Sequence, residues 1–328
     1  MVSPRAARLA LFAALSLSAS PLPAQAFRDP ATHQSGVVTR NGVRIHYLQW
    51  NGSGPTVVLL PGYSLTAHAF DDIASRLAPG FRVIAMTPRG FGESDAPRDS
   101  SYTIATVVAD LGAVLDSLHV DRAALVGHSL SGTVAARFAI EHPQRVTQLV
   151  LLDAFPYFSE EQGDSISALE TISAPDFVGD TTREAVASYL ARYRFVPFQP
   201  AMLADMHAKP MGDESARRRA LTAGYITDQW ATPPDLRHLS MPSLQLCAVP
   251  SVRTEYPWLT RKDTSYATAE RYVVHTLRPF NRRLCDRYAR TVPGGRTMDV
   301  AGSHYVFFTN PGQAAMLIRG FVVAPSTR

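Results

Sequence analysis

The sequence predicts an α/β protein: a mostly parallel, doubly wound sheet carrying a helical cap inserted after its sixth strand. Three observations lead there. Short continuous apolar runs, such as TVVLL at Thr56–Leu60 and VTQLVLL at Val146–Leu152, read as strands buried on both faces. Stretches with apolar residues at helical spacing separate these runs at short intervals, the rhythm of a parallel sheet covered on both sides. That rhythm stops over residues 155–240, where no comparable apolar run occurs, and then resumes.

Taken in order, Arg40-Asn41-Gly42-Val43 separates two strand-like runs, and Asn-Gly is a strong tight-hairpin signal. Thr56–Leu60 is the next strand, Ala67–Leu77 a helix and Phe81–Met86 a strand. Tyr102–Leu118 has helical spacing, Ala123–Val126 is a short buried strand, and Ser131–Ile140, rich in small and apolar residues, is a helix. Val146–Leu152 follows. After the interruption come a strand at Ser243–Val249, a helical region over Tyr266–Tyr288, a strand at Arg296–Ala301 and a closing helix over Gln313–Val322. The expected organisation is therefore a leader over 1–26, a core formed by 27–154 with 241–328, and a cap over 155–240.

Composition narrows the function classes. The 328 residues are 46% apolar and 18% charged, enough to build a large core and unlike a disordered chain. The net charge is +4, and removal of a leader containing Arg5 and Arg8 leaves +2. The densest cationic cluster, Arg217-Arg218-Arg219, reads as a solvated helix face, so no nucleic-acid partner is expected. Residues 1–26 combine Arg5 and Arg8, a short apolar stretch over Leu9–Ala19 and an Ala24-Gln25-Ala26 cleavage pattern. The expectation is a signal peptide cut near Ala26 and export to a periplasm or the medium, with an uncleaved anchor as the alternative. No later segment is long and apolar enough to span a bilayer. Export permits a disulfide between Cys247 and Cys285, the only cysteines, against the alternative of two buried thiols.

The chemistry concentrates at LVGHSLSG, Leu125–Gly132. A buried strand ends there, a helix begins, and small residues surround the turn, the setting of a nucleophile elbow with Ser129 at its tip. The G-x-S-x-G spacing would place glycine at 131, where Ser131 stands, with Gly132 next. Three further motifs follow the same order along the chain: LLPGYS at Leu59–Ser64, PRGFGES at Pro88–Ser94 and GSHYVFF at Gly302–Phe308.

With these four motifs the chain resembles the α/β-hydrolase fold family, over nearly all of its expected mature length except the insertion. Pro61 stands where the family's oxyanion loop carries histidine, and Thr87 where aspartate is usual before the R-G-x-G-x-S segment. The resemblance implies Ser129 as nucleophile and His304 as base, with the N–H groups of Tyr63 and Leu130 forming an oxyanion hole. His128 reads as structural. The acid has two family positions. After Ser243–Val249 the turn has no carboxylate, and Glu255 and Asp263 come only later in the loop. Asp153, ending LVLLDA, is favoured because its strand lies beside the nucleophile strand in that fold. Phe155, Tyr157 and Phe158 are expected at the substrate pocket.

A serine nucleophile suits acyl transfer. Epoxide hydrolases and haloalkane dehalogenases of this family use aspartate, whose alkyl ester water can cleave; serine would leave an ether. The expected function is therefore an exported serine hydrolase acting on the ester or lactone of a hydrophobic small molecule. A serine aminopeptidase, a carbon–carbon bond hydrolase and a non-catalytic binding protein are the alternatives. No H-E-x-x-H or G-x-G-x-x-G motif is present, and the reaction needs no cofactor or metal.

Overall fold

The computed structural model describes residues 32–99, 101–156 and 213–323, without the side chains of 213–219. The leader, most of the insertion, Tyr157 and Phe158 lie outside the described residues.

Eight strands form one sheet: β1 (Gln34–Arg40), β2 (Val43–Trp50), β3 (Thr56–Leu60), β4 (Arg82–Met86), β5 (Ala123–His128), β6 (Val146–Leu152), β7 (Ser243–Val249) and β8 (Arg296–Ala301). Their spatial order is β1-β2-β4-β3-β5-β6-β7-β8. β1 and β2 pair antiparallel through a turn in which Asn41 and Gly42 both have positive φ, as a two-residue hairpin requires. β2 also runs against β4, and every pair from β4 to β8 is parallel.

Alternate residues of the central strands feed two separate cores. Val58 and Leu60 face one, with α2 (Ile104–Ser117) and α3 (Leu130–Glu141). Val57 and Leu59 face the other, with α1 (Asp71–Leu77) and the closing helix Pro311–Val323. Burial on both faces is why these strands are continuous apolar runs.

The helix before β7, α4 (Asp213–Ala231), belongs to the predicted insertion but is fastened to the core. Tyr225 is fully buried and donates its hydroxyl to the Arg89 carbonyl, while the Asp228 carboxylate accepts from the Ile104 N–H at the start of α2. Arg89 in turn makes a buried two-point ion pair with Asp110 of α2, at 2.6 Å for each contact. Thr87, the residue at the family's aspartate position, accepts from the Ala67 N–H through Oγ1 and from the Ser94 hydroxyl through its carbonyl. Cys247 of β7 and Cys285 are disulfide-bonded, which ties the sheet to the helix Arg278–Thr291. Among the described residues, no helix is long and apolar enough to cross a membrane.

Candidate active site

The parallel register brings the ends of β3, β5, β6, β7 and β8 to one edge of the sheet. Leu60 pairs with Gly127, His128 with Leu152, Leu152 with Leu246 and Val249 with Ala301. The loops leaving that edge carry Pro61–Tyr63, Ser129, Asp153, Pro250–Glu255 and His304.

Ser129 joins β5 to α3 with φ 50° and ψ −126°, a conformation that costs a non-glycine residue about 1–3 kcal/mol. Close packing holds the turn in place. A Cβ on Gly127 would stand 2.6 Å from the Ser131 carbonyl oxygen, and one on Gly132 would stand 2.4 Å from Ala154 Cβ. So the glycine displaced by one position still serves the approach of helix to sheet. Ser131 has a different task, since its hydroxyl donates to the Pro61 carbonyl and thereby ties α3 to the loop after β3. The two departures from the family pattern are in direct contact.

That loop presses on the Ser129 turn. A Cβ on Gly62 would lie 2.7 Å from His128 Nδ1 and 2.9 Å from Ser129 Cβ, so only glycine fits there. Tyr63 follows directly. Leu130 is the first residue of α3, where backbone N–H groups have no acceptor within the helix and the helix dipole is positive. Tyr63 thus follows the glycine packed on Ser129, and Leu130 follows Ser129 itself at the start of α3.

Asp153 leaves β6 with φ 43° and is buried. Its Oδ1 accepts from the Ala248 N–H of β7 at 3.0 Å, and its Oδ2 lies 2.9 Å from His304 Nδ1. A carboxylate only accepts, so Nδ1 carries the proton of this hydrogen bond. His128 is buried against this pair. Its Nε2 donates to the His304 carbonyl at 3.1 Å, and burial, then the proximity of His304, hold its pKa well below the usual 6.5. A neutral His128 is thus a brace for the loop that carries His304.

Ser129, Asp153 and His304 border one cavity of about 380 Å³, within the range of small-molecule sites. Phe155 lines it. Glu255 lines it too, with Oε1 buried and without a hydrogen-bond partner, and its pKa is pushed up to about 8 by burial and then by the charge of Asp153. Asp263 is elsewhere, its carboxylate accepting from the Thr260 N–H and hydroxyl on the surface, which holds its pKa below the usual value.

Sequence reasoning missed four further lining residues, Tyr272, Leu277, Phe280 and Leu284. Residues Val273–Leu277 wind as a wider π turn between Tyr266–Tyr272 and Arg278–Thr291. Pro279 follows at once, and its ring cannot accept the α-helical approach of the carbonyl four residues back. That proline inside a helical pattern was the available signal.

The profile of the alpha/beta hydrolase fold matches residues 55–200. The chain has the α/β-hydrolase fold. An uncharacterised protein of Mycobacterium tuberculosis is 38% identical over 103 residues, which are 31% of this chain and 30% of that protein. Epoxide hydrolase 4 of Mus musculus is 31% identical over 139 residues, 41% of this chain and 38% of its own length. The matches to these curated relatives thus span about a third of their lengths. The enol-lactonase of Burkholderia xenovorans LB400 superposes with a TM-score of 0.59 at 19% identity, covering 89% of this chain and 100% of the enzyme. At that identity the likeness is one of fold.

Proposed function

We propose that this chain is an exported serine hydrolase that cleaves the carboxylic ester or lactone of a hydrophobic small molecule through an acyl-enzyme on Ser129. The observation that carries this reading is the shared cavity: Ser129 on its strained turn and His304 both line it, and His304 Nδ1 is held at 2.9 Å from Asp153. In the first step Ser129 Oγ attacks the ester carbonyl and His304 Nε2 takes the hydroxyl proton. The oxyanion is received by the N–H groups of Tyr63 and Leu130, where one such donor is worth about 10²–10³ in rate. The imidazolium returns its proton to the departing alkoxide. Water then attacks the acyl-enzyme, its proton passing to His304 and on to Ser129 as the acid leaves.

Several features support the substrate class. Phe155, Tyr272, Leu277 and Phe280 make the cavity wall apolar, which favours a hydrophobic group. Serine at the nucleophile position speaks against epoxide opening despite the resemblance to epoxide hydrolase 4, because the resulting ether would trap the enzyme. Glu255 offers no anion to a free amine at neutral pH, since its pKa is pushed up to about 8. That weakens the aminopeptidase alternative. The leader pattern and the Cys247–Cys285 disulfide support export.

Labelling of the purified protein with a fluorophosphonate, read by intact mass, tests the reading. One equivalent bound to the parent and none to Ser129→Ala is the expected result. A folded parent that takes up no probe overturns it.

A further inference from the structure

A second cluster of ligand-type side chains, none of them lining the cavity, lies where the start of β1 meets α1. His33 stands just before β1, while His68 and Asp71 lie three residues apart on the turn that opens α1. One donor atom from each falls within 4.8 Å of the other two. His68 and Asp71 are buried and His33 is partly so. We propose that His33, His68 and Asp71 bind a divalent transition-metal ion of the zinc class, with water in the fourth position, and that the ion clamps the start of β1 to α1.

The donor set fits that ion. Two imidazoles and one carboxylate are borderline ligands that suit zinc rather than calcium or magnesium. His68 Nδ1 and Asp71 Oδ2 are 3.2 Å apart. Two donors at about 2.1 Å from a tetrahedral ion sit roughly 3.4 Å apart, so this contact already spans one edge of the coordination shell. The 4.8 Å limit on the third donor then calls for a shift of about an ångström. His33 can supply it, because it precedes the edge strand β1 and is not enclosed.

The surroundings agree. His33 borders an open hollow together with Gln49, Trp50 and Ser75, which gives an ion and its water a way in. The Trp50 ring stands edge-on to His33 at 5.2 Å, and its indole Nε1 is buried without a hydrogen-bond partner. An indole N–H donates only, so a metal-bound water or hydroxide is the complement it lacks. His46 is close by but belongs to the scaffold, since its ring nitrogens are taken up by Thr87 Oγ1 at 3.0 Å and Ser35 Oγ at 3.1 Å. The ligands come from two segments, His33 before β1 and the His68–Asp71 pair at the start of α1, so no single sequence motif announces them.

The test is zinc titration of untagged, chelator-stripped full-length protein by calorimetry, with thermal unfolding alongside. One equivalent of Zn²⁺ bound per chain and a rise in Tm on loading are expected. Loss of one ligand in His33→Gln or Asp71→Asn should weaken binding by at least about tenfold and abolish the rise in Tm. Fluorophosphonate labelling should be unchanged in His33→Gln, whose partly exposed position keeps the fold intact. Zinc binding that survives both substitutions at full strength, or no binding by the parent, overturns the proposal and leaves His68–Asp71 as a simple hydrogen-bonded pair.

Discussion

Asp153→Asn isolates one hydrogen bond of the candidate site, and its effect can be worked out from the contacts. The carboxylate has two fixed partners: the Ala248 N–H at Oδ1, and His304 Nδ1 at Oδ2. An asparagine of the same shape must give its carbonyl oxygen to Ala248, because that partner only donates. Its NH2 group then faces His304 Nδ1. The imidazole responds by moving its proton to Nε2, where it can no longer accept from Ser129. The same exchange in a serine protease triad lowers turnover about 10⁴-fold, or about 5 kcal/mol of barrier. The assay is kcat for a short-chain p-nitrophenyl ester, with far-UV circular dichroism to show that the fold is kept and Glu255→Gln run in parallel. Turnover of a folded Asp153→Asn within tenfold of the parent would refute the tautomer argument. Collapse in Glu255→Gln instead would move the acid to the loop after β7.

Three other outcomes follow from buried charge and connectivity. Glu255 is held neutral up to about pH 8 in the folded chain, against about 4.5 unfolded, so the folded state keeps a proton that the unfolded state loses. Stability should therefore fall as pH rises from about 5 to about 8, by at most about 1.4 kcal/mol per unit from this group; urea unfolding at pH 6 and 8.5 should show a smaller fall in Glu255→Gln. Asp110→Ala strands the buried Arg89 guanidinium and should cost about 3–5 kcal/mol, with Arg89→Met added in the double variant recovering part of the loss. Replacing both cysteines by serine removes a crosslink across 38 residues and should lower stability by roughly 4 kcal/mol on loop entropy alone, read as the urea midpoint at constant slope.

Much of this molecule is legible in its sequence because the strands are buried on both faces. TVVLL and VTQLVLL close in unbroken apolar runs, VVLL and LVLL, so β3 and β6 appear where those runs stand. Ser129, Asp153 and His304 could be proposed because each sits one to three residues beyond a strand, and a parallel sheet gathers such ends at one edge. What stayed hidden depends on side chains meeting across distant segments. Ser131 looked like a tolerated substitute for glycine, and its bond to Pro61 cannot be read from spacing 70 residues apart. Leu277 and Phe280 fall inside the helical region expected over Tyr266–Tyr288, and no local spacing marks them as cavity residues. Glu255 was visible as a carboxylate, but its neutral state follows from enclosure, which no local pattern encodes.

The position of Asp153 divides labour along the chain. In the proposed mechanism the oxyanion loop, nucleophile and acid all precede the insertion, at the ends of the adjacent strands β3, β5 and β6, and only the histidine comes from the far side. The segment after β7 is thereby released from supplying an acid, and it contributes a neutral Glu255 and an apolar wall instead. Chemistry and selectivity occupy different stretches of sequence. Substitutions over 252–284 can re-cut the cavity for a new acyl group while the reacting atoms stay where β5 and β6 hold them, which makes that stretch the natural target for directed evolution.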